Sequence, residues 1–385
     1  MNKAVKAATA VLLLGMLISG PAFSEEAIKI GSFLSANGAN AFLGDPELKT
    51  LKLYVDQINA AGGIRGRKLD MVIYEDSGDT SQARSFALRL VNQDKVLAVI
   101  GGTTTGTTMA AVPVFEENEV PFVSLAGAVV IVDPVKKWIF KTPATDRIAA
   151  VRNFQHMKSK GIEKVGLLNG SDGYGQSGRE QTLFVAKELG MKIVADEVYA
   201  PTDSDMTAQL TRIRNAGAQA IMNFGVGSGP SILARNVKQL ALGIPLYLSP
   251  AVASKTFLDT TGAAAEGVYL PVISILVADK LPDSNPVKKV ALAYKSTYES
   301  ATKLPASFGG AVAYDALLIL RTALEQIIDR GEKLTSATIR NQIERTTGVV
   351  GIGGSFKMSE KDHLGLDSSA YIVAVIKNGD WALAD

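Results

Sequence analysis

The sequence predicts an α/β protein with two Rossmann-like lobes, each built on a parallel sheet, joined by a hinge of several crossovers. Short β-branched runs alternate with longer segments of helical period from Ala27 onward. This alternation occurs as two series, one before and one after Thr142-Pro143. Regular strand–helix alternation favours parallel sheets with helices on their faces, and two series of it favour two lobes.

The first series contains a helix whose buried face is visible in the sequence. Its apolar residues are Ala83, Phe86, Ala87, Leu90 and Val91. This spacing of three and four places one apolar face against a sheet. The predicted strands of this series are 28–33, 69–74, 96–100 and 120–124, and its other helices are 47–60 and 107–117.

The second series alternates strands and helices, whereas the C-terminal part of the chain is mainly helical and ends in a hairpin. The second series predicts strands 164–168, 192–198, 220–224 and 246–248 and helices 178–189, 205–215 and 231–242. The C-terminal part predicts helices 285–301, 310–327 and 336–345 and a hairpin of 371–376 and 381–384. A late helical block followed by a hairpin indicates that the chain returns to both lobes, as a hinged cleft requires.

The composition excludes several classes of function. The chain has 385 residues, of which 47% are hydrophobic, with 40 Lys and Arg against 38 Asp and Glu. This balance fits neither disorder nor nucleic-acid binding. The absence of cysteine excludes disulfides, thiol nucleophiles and cysteine-based metal sites. The two histidines are far apart, and we expect His156 to be a solvated residue of an amphipathic helix, so we predict no catalytic triad, metal or cofactor.

The N-terminus has the pattern of a secretory signal peptide over residues 1–24. Lys3 and Lys6 precede an apolar run over 8–18, and small residues surround the expected cleavage site after Ser24. The run is too short to span a bilayer. Because no cysteine is available for lipidation, we expect a freely diffusing protein of the periplasm rather than a lipoprotein.

Gly173-Tyr174-Gly175-Gln176-Ser177-Gly178 matches the G-x-G-x-x-G pattern of dinucleotide-binding proteins. The preceding apolar run ends at Leu168, however, so four residues separate it from the first glycine. In a dinucleotide-binding turn that glycine lies directly at the end of the strand. We therefore predict that this loop does not bind a dinucleotide.

A second glycine-rich loop, residues 101–108, carries five threonines in six positions. It also lies between a predicted strand and a predicted helix, where backbone N–H groups and hydroxyls can receive an anion. A helix N-cap explains one threonine but not five, so we interpret the loop as a ligand cradle. The lysine of a phosphate-binding P-loop is missing.

The chain resembles the periplasmic substrate-binding proteins of branched-chain amino-acid ABC importers. The matching segments run in the family's order through nearly the whole chain after residue 27. They are 28–31, 56–67, 76–83, 99–108, 120–124, 174–175 and 265–268.

The resemblance implies a type I clamshell with three hinge crossovers, a small ligand in the cleft, a membrane permease as partner and no catalysis. We expect lobe 1 to comprise 25–145 and 273–349, and lobe 2 to comprise 146–272 and 350–385. A monomer is compatible with this role.

The resemblance also implies a set of ligand-binding residues. Thr105 takes the place of the hydroxyl donor to the ligand carboxylate, the loop of Ala126, Gly127 and Ala128 offers backbone groups to it, and Tyr174 closes over the ligand. The full predicted set is Leu43, Thr104, Thr105, Ser124, Ala126, Gly127, Ala128, Tyr174, Val226, Pro250 and Phe308.

Two departures from the family pattern change the expected ligand. In the amino-acid binders of this family, a threonine and an acidic residue hold the α-ammonium group of the ligand. This chain has Ala128 at the position of the threonine and Pro250 at the position of the acidic residue. A buried ammonium without partners costs several kcal/mol. We therefore predict an apolar or aromatic carboxylate without an α-amino group. The alternatives are an amino acid held by Asp172 or Asp45, a neutral amide or urea-like solute, a ligand sensor, and an enzyme that uses carboxylates or lysines.

Overall fold

The computed structural model describes residues 26–384. They form an α/β fold with a five-stranded and a seven-stranded sheet, and the polypeptide passes between the two three times. The predicted signal peptide over 1–24 lies outside the described residues. Within residues 26–384, no helix combines the length and the apolarity needed to cross a membrane.

The first sheet is wholly parallel, with the strand order β2-β1-β3-β4-β5. Its strands are rich in buried β-branched and aromatic residues, as expected of a sheet covered on both faces. Its elements are β1 (Ile28–Leu34), α1 (Ala41–Ala60), β2 (Leu69–Glu75), α2 (Thr80–Arg89), β3 (Ala98–Gly101), α3 (Thr105–Glu117), β4 (Phe122–Ser124) and β5 (Ile139–Lys141).

The second sheet has a parallel part that continues into an antiparallel hairpin at one end. Before the chain returns to the first sheet, it forms five strands of this second sheet and the helices that accompany them. These elements are α4 (Asp146–Ser159), β6 (Lys164–Gly170), α5 (Gly173–Leu189), β7 (Lys192–Tyr199), α6 (Thr207–Asn215), β8 (Ala220–Met222), α7 (Gly229–Gln239), β9 (Leu246–Tyr247), α8 (Lys255–Thr261) and β10 (Tyr269–Val272). Both sheets present the carboxyl ends of their parallel strands to the interlobe cleft, which is where ligands bind in open α/β sheets.

The C-terminal part of the chain returns to both sheets. Its elements are α9 (Pro286–Thr302), α10 (Phe308–Asp329), α11 (Ser336–Glu344), β11 (Thr347–Val350), β12 (Ser355–Lys357), β13 (Ile372–Lys377) and β14 (Asp380–Leu383). Helix α10 packs along α1 and against β3, whereas β13 pairs with β10 to complete the order β14-β13-β10-β9-β8-β6-β7. The predicted fold class, including three crossovers between two lobes, is therefore confirmed.

The structure departs from the predicted elements in instructive places. Helix α1 begins at Ala41 rather than residue 47, because Leu43 and Gly44 are buried and Pro46 is accommodated inside the helix. Strands β5 and β10 were not predicted from the sequence. Strand β5 has two apolar residues followed by Lys141, and β10 contains Pro271, a residue that ordinarily argues against a strand. The expectation that His156 is solvated is wrong: it is 8% exposed, and its Nδ1 lies 2.9 Å from the Tyr247 hydroxyl.

Candidate binding site

A small cavity lies between the two sheets, where segments of both lobes meet. Its lining residues are Leu43, Glu47, Thr103, Thr104, Thr105, Leu125, Gly127, Tyr174, Val226, Ala251 and Phe308. Seven of the predicted residues are thus brought together: Leu43, Thr104, Thr105, Gly127, Tyr174, Val226 and Phe308. Four others do not line the cavity: Ser124, Ala126, Ala128 and Pro250.

Most of the hydroxyls in the threonine-rich loop hold the loop itself together. Thr104 is the N-cap of α3, and its side chain forms a reciprocal capping box with Thr107. The Thr108 hydroxyl donates to the Gly102 carbonyl at 2.8 Å, and Thr103 accepts a hydrogen bond from Ser35 N at 2.9 Å. These bonds give structural roles to four of the five threonines that the sequence interpretation assigned to a ligand cradle.

Thr105 is the exception among these threonines. Its side chain is buried, and its Oγ1 has no hydrogen-bond partner among the described residues. An unsatisfied buried hydroxyl costs about 1–3 kcal/mol, so such a group is normally paired with water or a ligand. Because Thr105 is also the first residue of α3 and lines the cavity, it places a hydroxyl and a helix N-terminus at the same point.

The loop after β4 contributes through its backbone. Ser124 is fully buried, and its Oγ lies 2.9 Å from the Thr108 hydroxyl and accepts from Ala126 N, so it fixes the loop rather than facing the cavity. Ala126 and Ala128 are buried as well. Gly127 therefore remains the predicted residue of this loop on the cavity wall, together with Leu125, which was not predicted.

A buried lysine lies directly behind Gly127. The ammonium of Lys141 donates to the Gly127 carbonyl at 2.9 Å, and the same carbonyl accepts from Asp146 N. Burial lowers the pKa of Lys141 to about 7, while the nearby Asp146 carboxylate opposes the change. A group that can carry positive charge thus lies one peptide group from the cavity.

In the second lobe, Asp172 determines where α5 begins. Its carboxylate caps the helix by accepting from Tyr174 N at 3.0 Å and Gly175 N at 3.1 Å. Helix α5 therefore begins at Gly173 and not at residue 178, and the entire G-x-G-x-x-G motif is helical. A Cβ on Gly175 would lie 2.1 Å from the Gly170 carbonyl oxygen, and one on Gly178 would lie 2.2 Å from the Phe224 ring. These glycines permit close helix–sheet packing.

Tyr174 connects the two lobes. Its ring lies against Gly127, where an added Cβ would be 2.8 Å from the ring, and it packs edge-on against Phe224 of its own lobe. Burial raises the pKa of Tyr174 well above its ordinary value, so the phenol stays protonated. Gly173 beside it approaches the N-terminus of α3, since a Cβ there would lie 3.5 Å from Gly106 N.

The loop after β9 contributes Ala251 rather than the predicted Pro250. Both residues belong to a short buried 3-10 helix, Pro250–Val252, but Ala251 lines the cavity. The shift of one residue introduces no acidic group at this point. Neither alternative carboxylate lines the cavity: Asp45 forms an exposed ion pair with Lys49, and Asp172 is used as the cap of α5.

Glu47 is the acidic lining residue that the sequence interpretation missed. It is 1% exposed, lines the cavity and accepts a hydrogen bond from the Thr103 hydroxyl at 2.5 Å. Burial raises the pKa of Glu47 well above its ordinary value, the Thr103 hydrogen bond opposes this, and the nearby Asp76 adds to it. In the sequence, Glu47 stood at the predicted start of α1, where acidic residues commonly complement the helix dipole. No group of His, Cys, Asp and Glu side chains within residues 26–384 could hold a metal ion.

Comparison with known proteins gives a consistent assignment. The sequence profile described as periplasmic binding protein matches residues 27–380. A leucine-, isoleucine-, valine-, threonine- and alanine-binding protein of Pseudomonas aeruginosa is 25% identical over 346 residues, which cover 88% of this chain and 90% of that protein.

Solved structures are similar over nearly the whole length. An extracellular ligand-binding receptor from Rhodopseudomonas palustris HaA2 superimposes with a TM-score of 0.86 at 25% identity, over 93% of this chain and 99% of that chain. A branched-chain amino acid transporter substrate-binding protein from Streptococcus pneumoniae, solved in complex with isoleucine, superimposes with a TM-score of 0.81 at 24% identity, over the same shares of the two chains. The second likeness concerns the fold.

Proposed function

The chain belongs to the periplasmic binding protein family, and we propose that it is the solute-binding component of an ABC importer for a small carboxylate without an α-amino group. The observation that carries this proposal is the buried hydroxyl of Thr105 at the N-terminus of α3, which has no hydrogen-bond partner in the described part of the chain. The expected periplasmic location and the permease partner follow from the family. We infer no catalytic activity.

The carboxylate end of the ligand fits the first turn of α3. The N–H groups of Thr107 and Thr108 are already used by the side chain and carbonyl of Thr104. Thr105 and Gly106 come before them, and the first N–H groups of a helix have no intrahelical acceptor. A carboxylate here accepts from the Thr105 hydroxyl and from helix N-terminal amides, and the positive end of the helix dipole favours its charge.

The groups around the cavity disfavour an ammonium. Ala128 and Pro250, at the two positions expected to hold an α-ammonium, have no polar side chain, and neither has Ala251, which lines the wall. Lys141 behind Gly127 favours a carboxylate over a cation when it is protonated, and the Asp146 carboxylate beside it offsets part of this effect. Glu47 is the sole acid among the lining residues of the described chain, and its burial favours the neutral form.

The remaining walls suit an apolar or aromatic group. Leu43, Leu125, Val226, Ala251 and Phe308 supply them. A neighbouring cavity of about 170 Å³ is lined by Phe42, Gly227, Val252 and Phe257. The first three of these are sequence neighbours of Leu43, Val226 and Ala251. We infer that the apolar end of the ligand points toward this second cavity.

We propose that ligand binding closes two lobes on each other. Their boundaries are those expected from the sequence, 25–145 with 273–349 and 146–272 with 350–385, but the last crossover lies later in the chain than residue 350. His363 contacts β5, because Lys141 N donates to its carbonyl and its Nδ1 lies 2.8 Å from the Ile139 carbonyl. The chain enters the second sheet only at Ile372. We therefore place the last crossover between residues 365 and 372.

An amino-acid ligand is the second candidate, because the similar protein of Pseudomonas aeruginosa is named for amino acids that it binds. Such a ligand would need an ionised Glu47 as partner of its ammonium. Amides are a further alternative that the same measurements address. A sensory role is distinguished by the neighbouring genes, because permease and ATPase genes accompany importers.

The decisive experiment compares ligand pairs that differ in the α-ammonium group. Thermal shift and calorimetry on purified mature protein would use leucine with isocaproate, phenylalanine with hydrocinnamate, and the corresponding amides. We expect the deaminated acid of at least one pair to bind at least about tenfold more tightly, and a ligand at about 100 times its Kd to add about 2.7 kcal/mol of stability. Tighter binding of leucine or phenylalanine would overturn the proposal in favour of an amino-acid carrier, and binding of the amides alone would overturn it in favour of a neutral solute.

A further inference from the structure

Among residues 26–384, Glu47 is the one acidic side chain on the cavity wall, and the carboxylate site described above does not use it. It belongs to a buried chain of hydrogen bonds in the first lobe. The Ser35 hydroxyl donates to Asp76 Oδ1 at 2.6 Å, Ser35 N donates to Thr103 Oγ1, and the Thr103 hydroxyl donates to Glu47 Oε2. Glu47, Thr103, Ser35 and Asp76 are all buried.

The direction of these bonds fixes the role of each Glu47 oxygen. Thr103 Oγ1 already accepts from Ser35 N, and Glu47 Oε2 is the one acceptor within the described residues for its hydroxyl proton, so we assign Oε2 as an acceptor in both forms of the carboxyl. No hydrogen bond within the described residues involves Oε1. A protonated Glu47 therefore carries its proton on Oε1, where it can be donated into the cavity.

The surroundings favour the protonated form. No ion pair within the described residues includes Glu47, and the charge that acts on its pKa is that of the buried Asp76, a like charge. Other titratable groups near α1 and the cavity include Glu75 on β2, Tyr174 on α5, Tyr294 on α9, Asp315 on α10 and Lys141 on β5. Burial raises the pKa of both tyrosines and also raises the pKa of Asp315 to about 7.

We propose that Glu47 acts as a neutral hydrogen-bond donor in the cleft and selects a carboxylic acid that carries a second, uncharged oxygen acceptor, such as a keto or hydroxy group. This inference rests on the proposed carboxylate function and adds a specificity residue to it. Thr103 positions the Glu47 carboxyl, and Oε1 contacts the ligand. Desolvation makes the selection strict, because an acid without the extra oxygen leaves this donor unpaired.

The test compares acids that differ by one oxygen: hydrocinnamate with phenylpyruvate, isocaproate with α-ketoisocaproate, and benzoate with para-hydroxybenzoate. We expect the oxygen-bearing member of at least one pair to bind about tenfold more tightly to the wild-type protein. In Glu47→Gln the amide accepts from Thr103 and donates into the cavity, so affinity should stay within about threefold of wild type. In Glu47→Met the preference should fall by about tenfold, to near equality.

The pH profile separates this role from a structural one. Deprotonation removes the Oε1 donor and places a negative charge beside the ligand carboxylate. Wild-type affinity should therefore fall as the pH rises through the raised pKa of Glu47, whereas Glu47→Gln should show only the weaker pH dependence that comes from Lys141. The matched control is Asp76→Asn, a buried carboxyl off the cavity wall, which should move the midpoint of the profile to lower pH without changing the low-pH affinity.

Several outcomes would overturn the inference. One is an equal loss of affinity in the Gln and Met variants. Another is a profile of Glu47→Gln that matches wild type. A third is the absence of any pair in which the extra oxygen helps. Each of these leaves the carboxylate function standing if the unsubstituted acids bind, whereas failure of all acids refutes that function itself. Should Glu47→Met not fold, the ligand pairs and the Gln pH profile remain sufficient.

Discussion

Two loops meet at the cleft, one in each lobe, and they share a pattern but differ in what they offer a ligand. Each is a glycine-rich connection from a strand to a helix, from β3 to α3 and from β6 to α5. In the first, a neutral threonine caps the helix and one hydroxyl, that of Thr105, remains unpaired. In the second, the charged Asp172 caps the helix and Tyr174 presents a ring.

The comparison shows that two similar glycine-rich patterns can have opposite effects on an anionic ligand. A helix N-terminus attracts anions only while its amides and its field are available. Asp172 occupies the amides of Tyr174 and Gly175 and introduces a carboxylate, so the α5 terminus is closed to an anionic ligand. The α3 terminus remains open. The anion is therefore expected on the first lobe, and the second lobe provides the cover.

The largest predicted effect distinguishes the glycines of the two loops. Gly175→Ala should lower the free energy of unfolding by about 3 kcal/mol or more, because its Cβ would overlap the Gly170 carbonyl oxygen and separate α5 from β6. Gly106→Ala is the matched control in α3, where the nearest atom to an added Cβ is Thr80 Cγ2 at 3.4 Å. It should raise stability by up to about 1 kcal/mol through helix propensity. Urea denaturation measures both, and equal effects would refute the packing role of Gly175.

A second prediction concerns the hydroxyls of the threonine-rich loop. Thr105→Val keeps the side-chain volume but removes the unpaired hydroxyl, so a carboxylate ligand should bind about tenfold to a hundredfold more weakly, as for loss of a hydrogen bond to a charged group. Thr107→Val, which breaks the reciprocal capping box, should lower stability by about 1 kcal/mol with little change in Kd. Calorimetric titration with thermal melts checks both. If both variants weaken binding equally, Thr105 has no special place in the site.

The smallest predicted effect tests the charge on the second loop. Asp172→Ser keeps an oxygen that can cap α5 but removes the carboxylate, so stability should change by less than about 1 kcal/mol. Carboxylate affinity should rise by about threefold at low ionic strength, and added salt should reduce this gain. Titrations at two salt concentrations provide the measurement. Unchanged or weaker binding at low salt would show that the charge of Asp172 does not act on the ligand.

The general architecture could be predicted from periodicity, because amphipathic helices and buried strands leave a strong pattern in long elements. The face that contains Ala83 and Ala87 is buried as expected. Short buried strands such as β5 lack that pattern and depend on pairing with a neighbour, here β4. The start of α5 also escaped prediction, since the capping role of Asp172 depends on where its side chain turns.

The sequence by itself determined the fold class, the family and the neighbourhood of Thr105, Gly127 and Tyr174, because these depend on local pattern and segment order. Only the tertiary structure decided which polar groups remain available to a ligand. In the sequence, the threonines at 103, 104, 107 and 108 cannot be distinguished from Thr105. In the folded loop, the hydroxyls of these four form hydrogen bonds within the protein. Glu47 reaches the cavity only because α1 lies against the loop after β3, where the Thr103 hydroxyl bonds to it. A contact between residues 56 positions apart leaves no local signal in the sequence.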